Sequence, residues 1–332
     1  MDLLNEYNLL CKEAGHAPKS WYQARGYKFE KLLLKVLKRD GLCPRASYKI
    51  SGEQIDGSFV LGDKVYLLEA KWHKREMAAS DIYAFKGKVD GKLVGTIGIF
   101  ISISGFSKDS VDALIMGKEI NIILFDKNDF EMSLEKEGAF KRILLEKIRM
   151  AAEEGSPFYP VKAVLEINKQ SNSNAETDNA DIDMKSKEVI IICEGENDEW
   201  VLKLLCQKMN KTNFEIIVAN GMRNIPLLAN KIMAYALKRE VVLVTDSDGN
   251  ETRVQNMFQE IIDKQEGWNA VIINDSIEDW FGIDKGKYKG KRRELLAALT
   301  EKVQSVDMEK MRKEFASFDL FYRLLNESVS SM

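Results

Sequence analysis

Cysteine is scarce and scattered: Cys11, Cys43, Cys193 and Cys206 are the four in 332 residues, with no C-x-x-C pair. That excludes a zinc ribbon and a disulfide scaffold, and it suits a reducing compartment. Long apolar runs are missing. The longest apolar-leaning stretch, Leu93 to Phe106, is broken by Thr96, Ser102 and Ser104, whereas a membrane span needs about 20 apolar residues. The opening MDLLNEYNLL has no basic segment leading into an apolar core, so no secretory signal is expected. There is no G-x-x-x-x-G-K-[ST], since no Gly-Lys pair has a glycine five positions earlier. A P-loop ATPase is thereby excluded. No methyltransferase motif is evident. The expectation is a soluble, cytoplasmic protein with no membrane contact.

What is present is ordinary in bulk: 45% hydrophobic and 30% charged residues, net charge −3. A chain of this length suggests two domains at about 150 residues each. The charge is uneven. Residues 1–150 carry 25 Lys+Arg against 21 Asp+Glu, and residues 151–332 carry 24 against 31. An acidic half need not avoid nucleic acid, because clustered carboxylates that hold a divalent ion invert the local field.

Residues 168–187, NKQSNSNAETDNADIDMKSK, hold too few apolar side chains to offset the entropy of ordering them. They read as a flexible linker between a domain of residues 1–167 and one of residues 188–332.

In the first part, Phe29, Leu32, Leu33, Val36 and Leu37 recur at helical spacing over about 23–39. Strand-like runs follow at 44–50, 55–61 and 64–71, the last two joined by a Gly62–Asp63 turn. Helical stretches at 78–88, 108–117 and 137–153 alternate with apolar strands at 95–102 and 120–126. This order predicts a mixed sheet with flanking helices. In the second part, apolar strands at 188–194, 214–219, 240–246 and 269–275 alternate with helices at 197–211, 224–237 and 251–266, and helical sequence runs on from there. That alternation predicts a parallel sheet covered on both faces, with sites at the carboxyl ends of its strands.

Two groups of residues carry chemistry. Strand 64–71 ends in L-E-A-K, which puts Glu69 and Lys71 on one face. A hairpin through Gly62–Asp63 sets Asp56 opposite residues 69–71. Asp56 and Glu69 then offer hard oxygen ligands to Mg²⁺, with Lys71 to hold water or developing charge and Glu30, on the preceding helix, to add a ligand or orient water. The competing reading is a surface hairpin with an exposed Glu69–Lys71 ion pair, worth little. His73 and Lys74 follow at once, either as phosphate contacts or as solvated residues.

These residues resemble the PD-(D/E)XK nucleases. D-G at 56–57, E-A-K at 69–71, F-E at 29–30 and I-F-I-S-I-S-G-F-S at 99–107 are similar to the Mrr-like restriction endonuclease branch, over roughly residues 22–132. Ile55 stands where the family name has proline. The resemblance implies a restriction-endonuclease-like core that cuts DNA with Mg²⁺ or Mn²⁺, with Asp56, Glu69 and Lys71 as its active site.

The second group begins at C-E-G-E-N-D-E (193–199), where Glu194 ends a strand and Asp198 falls in the first helical turn. Asp198 can serve simply to stabilise that helix N-terminus. The third strand ends V-T-D-S-D-G-N, so Asp246 and Asp248 lie two apart. Carboxylates gathered at neighbouring strand ends repel one another unless a cation sits among them. The competing reading of D-S-D-G is a loop with turn-forming aspartates. E-G-x-x-D, D-x-D and the later D-S-I-E-D-W-F (275–281) resemble the TOPRIM domain, a Rossmann-like parallel sheet, in its OLD-like and anti-phage forms. The resemblance implies Glu194 as general acid/base, Asp246 and Asp248 as Mg²⁺ ligands and Glu278 as a further carboxylate. A basic run from Lys285 to Arg293 follows, of which Lys291, Arg292 and Arg293 are the candidate contacts to nucleic acid.

The leading expectation is a two-module, Mg²⁺-dependent endonuclease acting on foreign DNA in restriction or anti-phage defence. One alternative makes the TOPRIM half a ribonuclease or nickase and the first half a recognition module. Another makes the chain a non-catalytic subunit working with an ATPase or other defence protein. A double-strand cut suggests a homodimer, or the two different sites acting on opposite strands.

Overall fold

In the computed structural model the described residues are 2–12, 18–50, 52–116, 119–162, 165, 189–235, 240–247, 249–265, 267–289 and 291–326. Residues 168–187, the expected linker, lie outside them. The chain divides into two compact units, Met1–Lys162 and Ala163–Met332.

The first unit is built on five strands in the order β1-β2-β3-β4-β5. They are β1 (Arg45–Ile50), β2 (Glu53–Leu61), β3 (Lys64–Lys71), β4 (Ile97–Ser102) and β5 (Ile122–Phe125). β1, β2 and β3 form an antiparallel meander, β2 and β3 joined by the short turn at 62–63, while β3, β4 and β5 run parallel through helical crossovers. The sheet is therefore mixed, as the sequence predicts. Its helices, among the described residues, include α1 (Leu3–Cys11), α2 (Lys19–Arg39), α3 (Ala79–Asp90), α4 (Lys108–Ile115), α5 (Lys127–Leu134) and α6 (Ala139–Glu154).

Two of these helices are absent from the sequence-based reading. Both are short, and each is started by an aspartate that accepts a backbone N–H: Asp2 for α1 and Asp126 for α5. Local capping sets them up, and at 9 and 8 residues each is too short for a period to stand out from the sequence.

Burial follows position in the sheet. β3 is central, so Tyr66 to Ala70 are all buried, and β4 is buried from Gly98 to Ser102. β1 is an edge strand and exposed along most of its length. One core joins Ile55, Leu67 and Phe100 to Phe85 and Val89 of α3. Gly98 permits that approach: a Cβ there would stand 2.8 Å from both Phe85 and Val89. Lys147 is buried as well, with its Nζ 2.7 Å from Asp129 Oδ2 and donating to the Tyr159 carbonyl at 2.7 Å.

Among the described residues the second unit has four strands, all parallel, in the order β7-β6-β8-β9. They are β6 (Val189–Cys193), β7 (Phe214–Val218), β8 (Val241–Asp246) and β9 (Trp268–Ile273). β6 and β8 are central and wholly buried. Helices Glu196–Lys208, Asn224–Tyr235 and Glu251–Ile262 make the crossovers. After β9 come the 3₁₀ turns Ile277–Phe281 and Lys285–Tyr288, then helices Arg292–Ser305, Met308–Glu314 and Ala316–Asn326. Among the described residues no helix is long and apolar enough to cross a membrane.

Candidate active site

β2 and β3 pair from Lys64–Leu61 up to Leu68–Gly57, and there the ladder stops. One step further along, the Ala70 amide donates to the Asp56 carboxylate, N to Oδ2 3.0 Å, instead of to a backbone carbonyl. The first half of β2 continues its pairing with β1, Gln54 opposite Lys49 and Glu53 opposite Ile50. Between the parting strands sit two buried carboxylates, Asp56 and Glu69, 7% and 6% exposed.

Buried charge is costly unless paired, and both carboxylates are paired. Lys71 Nζ is 3.2 Å from Asp56 Oδ2 and 2.6 Å from Glu69 Oε1. Lys88, from α3, donates to the other Glu69 oxygen, Oε2, at 2.9 Å and to the Gln54 carbonyl at 3.0 Å. Glu30, half-buried on α2, completes the group. Burial first, then the charges of Asp56 and Glu69, push its carboxyl up to about 7, against the pull of Lys71. The Lys71 ammonium is held above its ordinary pKa by Glu69 and then Asp56, whose attraction outweighs the opposing cost of burial. An exposed surface hairpin does not describe these residues.

The neighbouring residues form a basic rim with aromatic support. His73 and Lys74 are exposed, and Lys74 Nζ lies 4.4 Å from the centre of the Tyr22 ring. Partial burial and the Lys71 charge lower the His73 pKa. Trp72, next to Lys71, packs against Phe29 and Tyr7 and carries the Arg25 guanidinium on its face at 4.6 Å.

In the second unit, Glu194 follows β6 and Asp246 ends β8, both buried, and Glu278 is 1% exposed in the first 3₁₀ turn. Thr245 Oγ1 donates to Glu194 Oε2 at 3.3 Å. Asp198 accepts from the Gly195 amide at 2.8 Å, the expected capping contact. Its charge also belongs with the others. Burial, then Glu194, raises Asp198 to about 7, and burial, then Asp198 and Glu194, raises Asp246 to about 9. Lys285 lies 3.9 Å from Glu278. Asp248 lies outside the described residues. Among the described residues no three Asp, Glu, His or Cys side chains are grouped tightly enough to hold a metal ion by themselves.

The basic run is partly engaged. Arg292 pairs with Glu196 at 2.5 Å and donates to Asn197 Oδ1 at 3.1 Å, and Lys291 pairs with Glu294 at 3.3 Å. Arg293 is exposed. Two residues of these sites were not among the sequence candidates, Lys88 and, as a cluster member, Asp198. Lys88 contacts residues 19 and 34 positions away, a relationship without a local signature.

The mixed sheet and the paired carboxylates with their lysine are consistent with a restriction-endonuclease-like fold. Residues 22–134 match the Mrr_cat family, described as restriction endonuclease. The match lies within the first compact unit. No curated protein matches the chain. Among solved structures, the crystal structure of the protein of unknown function AF1548 is similar at 14% identity and a TM-score of 0.27, covering 70% of this chain and 94% of that one. A likeness at that level carries no statement about fold or function.

Proposed function

We propose that the first unit is an endonuclease that hydrolyses phosphodiester bonds of DNA with Mg²⁺ or Mn²⁺, in the cytoplasm, as part of restriction or anti-phage defence. The observation that carries this reading is the placement of Asp56 and Glu69 around Lys71, inside the segment that matches a restriction endonuclease family. The defence role rests on the family resemblance and not on the chemistry.

The donor set fits a hard divalent cation. Three carboxylates, Glu30, Asp56 and Glu69, face two lysines, and burial, followed by the charges of Asp56 and Glu69, raises the Glu30 pKa. Asp56 and Glu69 would hold the ion. When bound, it supplies Lewis-acid stabilisation of the scissile phosphate and acidifies water. Lys71 stabilises charge developing on the phosphate and orients the attacking water. Glu30 accepts a proton from that water or fixes its position. His73 and Lys74, on the exposed side of Lys71, contact backbone phosphates of the duplex.

For the second unit we propose a TOPRIM-type Mg²⁺ site, supported by the parallel sheet, by Glu194 and Asp246 buried at its strand ends and by Glu278 buried in the 3₁₀ turn after β9. Asp246 and Asp248 would hold the ion and Glu194 would act as general acid/base. Lys291, Arg292 and Arg293 would lie along the nucleic acid. In this arrangement residues 1–167 are the nuclease domain, 168–187 a linker and 188–332 the TOPRIM domain. A homodimer or an ATPase partner would supply a second cut or a trigger.

The test is cleavage of supercoiled plasmid, linear duplex, single-stranded DNA and structured RNA with Mg²⁺, Mn²⁺ or EDTA. Wild type is compared with Lys71→Ala and Asp246→Ala. Metal-dependent DNA cutting lost in Lys71→Ala supports the first unit as the cutter. Full activity in both variants rejects both assignments, and RNA cleavage lost only in Asp246→Ala selects the ribonuclease reading. Stabilisation by Mg²⁺ with no turnover selects a non-catalytic subunit.

A further inference from the structure

Lys88 is the cation at this site with no place in the chemistry described above. It comes from α3, an element that supplies none of the proposed metal ligands or catalytic residues. Its side chain is largely buried, and its ammonium spans the gap between the parting strands, 3.0 Å from the Gln54 carbonyl on the β2 side and 2.9 Å from Glu69 Oε2 on the β3 side. Glu69 is thus gripped at both oxygens, Oε1 by Lys71 and Oε2 by Lys88. The two grips differ in kind. Lys71 shares Glu69 with Asp56, at the point where a cation would enter. Lys88 shares Glu69 with a backbone carbonyl, so a metal that displaced Lys71 would leave the Lys88 contact in place.

Lys88 is carried on a helix packed closely against the sheet. Its neighbours Phe85 and Val89 are buried against β4 at Gly98, which has no room for a Cβ. One turn further on, Lys92 pairs with Glu53 at 3.1 Å and ties the end of α3 to the same branch of β2.

We infer that Lys88 is a positioning residue of the nuclease site, holding Glu69 Oε2 so that Oε1 faces Asp56 and fixing the gap between β2 and β3 in which a divalent cation binds. This rests on the nuclease reading. It carries two consequences of opposite sign. As a fixed charge beside a ligand, Lys88 repels a divalent cation and weakens its binding. As a clamp, it keeps the ligand in the geometry that turnover needs.

The experiment uses the full chain with Lys88→Met and Lys88→Arg. Mn²⁺ binding is measured by calorimetry without nucleic acid, and plasmid cleavage at saturating Mn²⁺ is measured in parallel, with thermal unfolding as the check on folding. The site's binding event is the one abolished by Asp56→Ala. The expected result is a Mn²⁺ Kd at least threefold tighter in Lys88→Met together with a turnover number at least tenfold lower, and both restored toward wild type in Lys88→Arg. A folded Lys88→Met with wild-type Kd and wild-type turnover overturns the inference, and so does a parallel loss of binding and turnover that Lys88→Arg fails to rescue. The nuclease reading fails separately, when wild type shows no Mn²⁺ binding that Asp56→Ala removes.

Discussion

The Asp56 carboxylate takes the Ala70 amide hydrogen at the point where β2 and β3 separate. A side chain replaces a backbone partner, and the ladder can open without leaving that amide unsatisfied. The same oxygen faces Lys71. The feature that opens the sheet is thus one of the two carboxylates the opening contains.

Replacing Lys71 with alanine leaves Glu69 with Lys88 and Asp56 with the Ala70 amide. DNA cleavage is expected to fall by about 10²-fold or more. The metal-free chain should lose about 1–2 kcal/mol, less than a fully buried pair would cost because Lys71 reaches solvent. Mg²⁺ should restore more thermal stability to Lys71→Ala than it adds to wild type. Scanning fluorimetry with EDTA or Mg²⁺ reads this directly, and equal shifts in the two chains would contradict it.

Glu30 gives a pH signature. Its carboxyl is raised from 4.5 to about 7 in the folded chain. A raised pKa means the folded state holds the proton more tightly, so this contribution to stability is complete below 4.5 and is lost as pH rises through about 7. In EDTA, Glu30→Gln should therefore have a Tm on the order of 2–4 °C above wild type at pH 8 and close to it at pH 5. A difference that is the same at both pH values would remove Glu30 from the charge group.

Gly98→Ala should destabilise the first unit by about 1–3 kcal/mol, because the new methyl meets Phe85 and Val89 at 2.8 Å. The shift also moves the helix that carries Lys88, so Mn²⁺ affinity should change along with Tm. A Gly98→Ala chain with wild-type unfolding would show that α3 is free to move away from β4.

Asp246 separates the two proposed metal sites. Burial and its acidic neighbours raise it to about 9, so its contribution is lost as pH rises from the ordinary carboxylate range through 9. Asp246→Asn should flatten the fall in metal-free stability over that range. In an Asp56→Asn background, Mg²⁺ should still raise the Tm of the second unit, and adding Asp246→Asn should remove that rise. A persistent rise would place the ion elsewhere.

Much of this was legible in order along the chain. Alternation of apolar runs and helical periods marks the mixed sheet of the first unit and the parallel sheet of the second, since both patterns depend on near neighbours. E-A-K places Glu69 and Lys71 on one face for the same reason, and the Gly62–Asp63 turn brings Asp56 to the pair. The short helices α1 and α5 escaped because they are only 9 and 8 residues long and are started by local capping at Asp2 and Asp126.

The sequence by itself determined the residue types, the strand alternation and the two-residue spacing that puts Glu69 beside Lys71. Tertiary structure decided how those charges are balanced. Lys88 reaches Glu69 and Gln54 only because α3 packs on β4 over Gly98, and Asp198 joins the second cluster only because β6 and β8 are neighbours. Local pattern reports what a backbone conformation repeats. Electrostatic partners are set by distance through space, and burial makes each of them count.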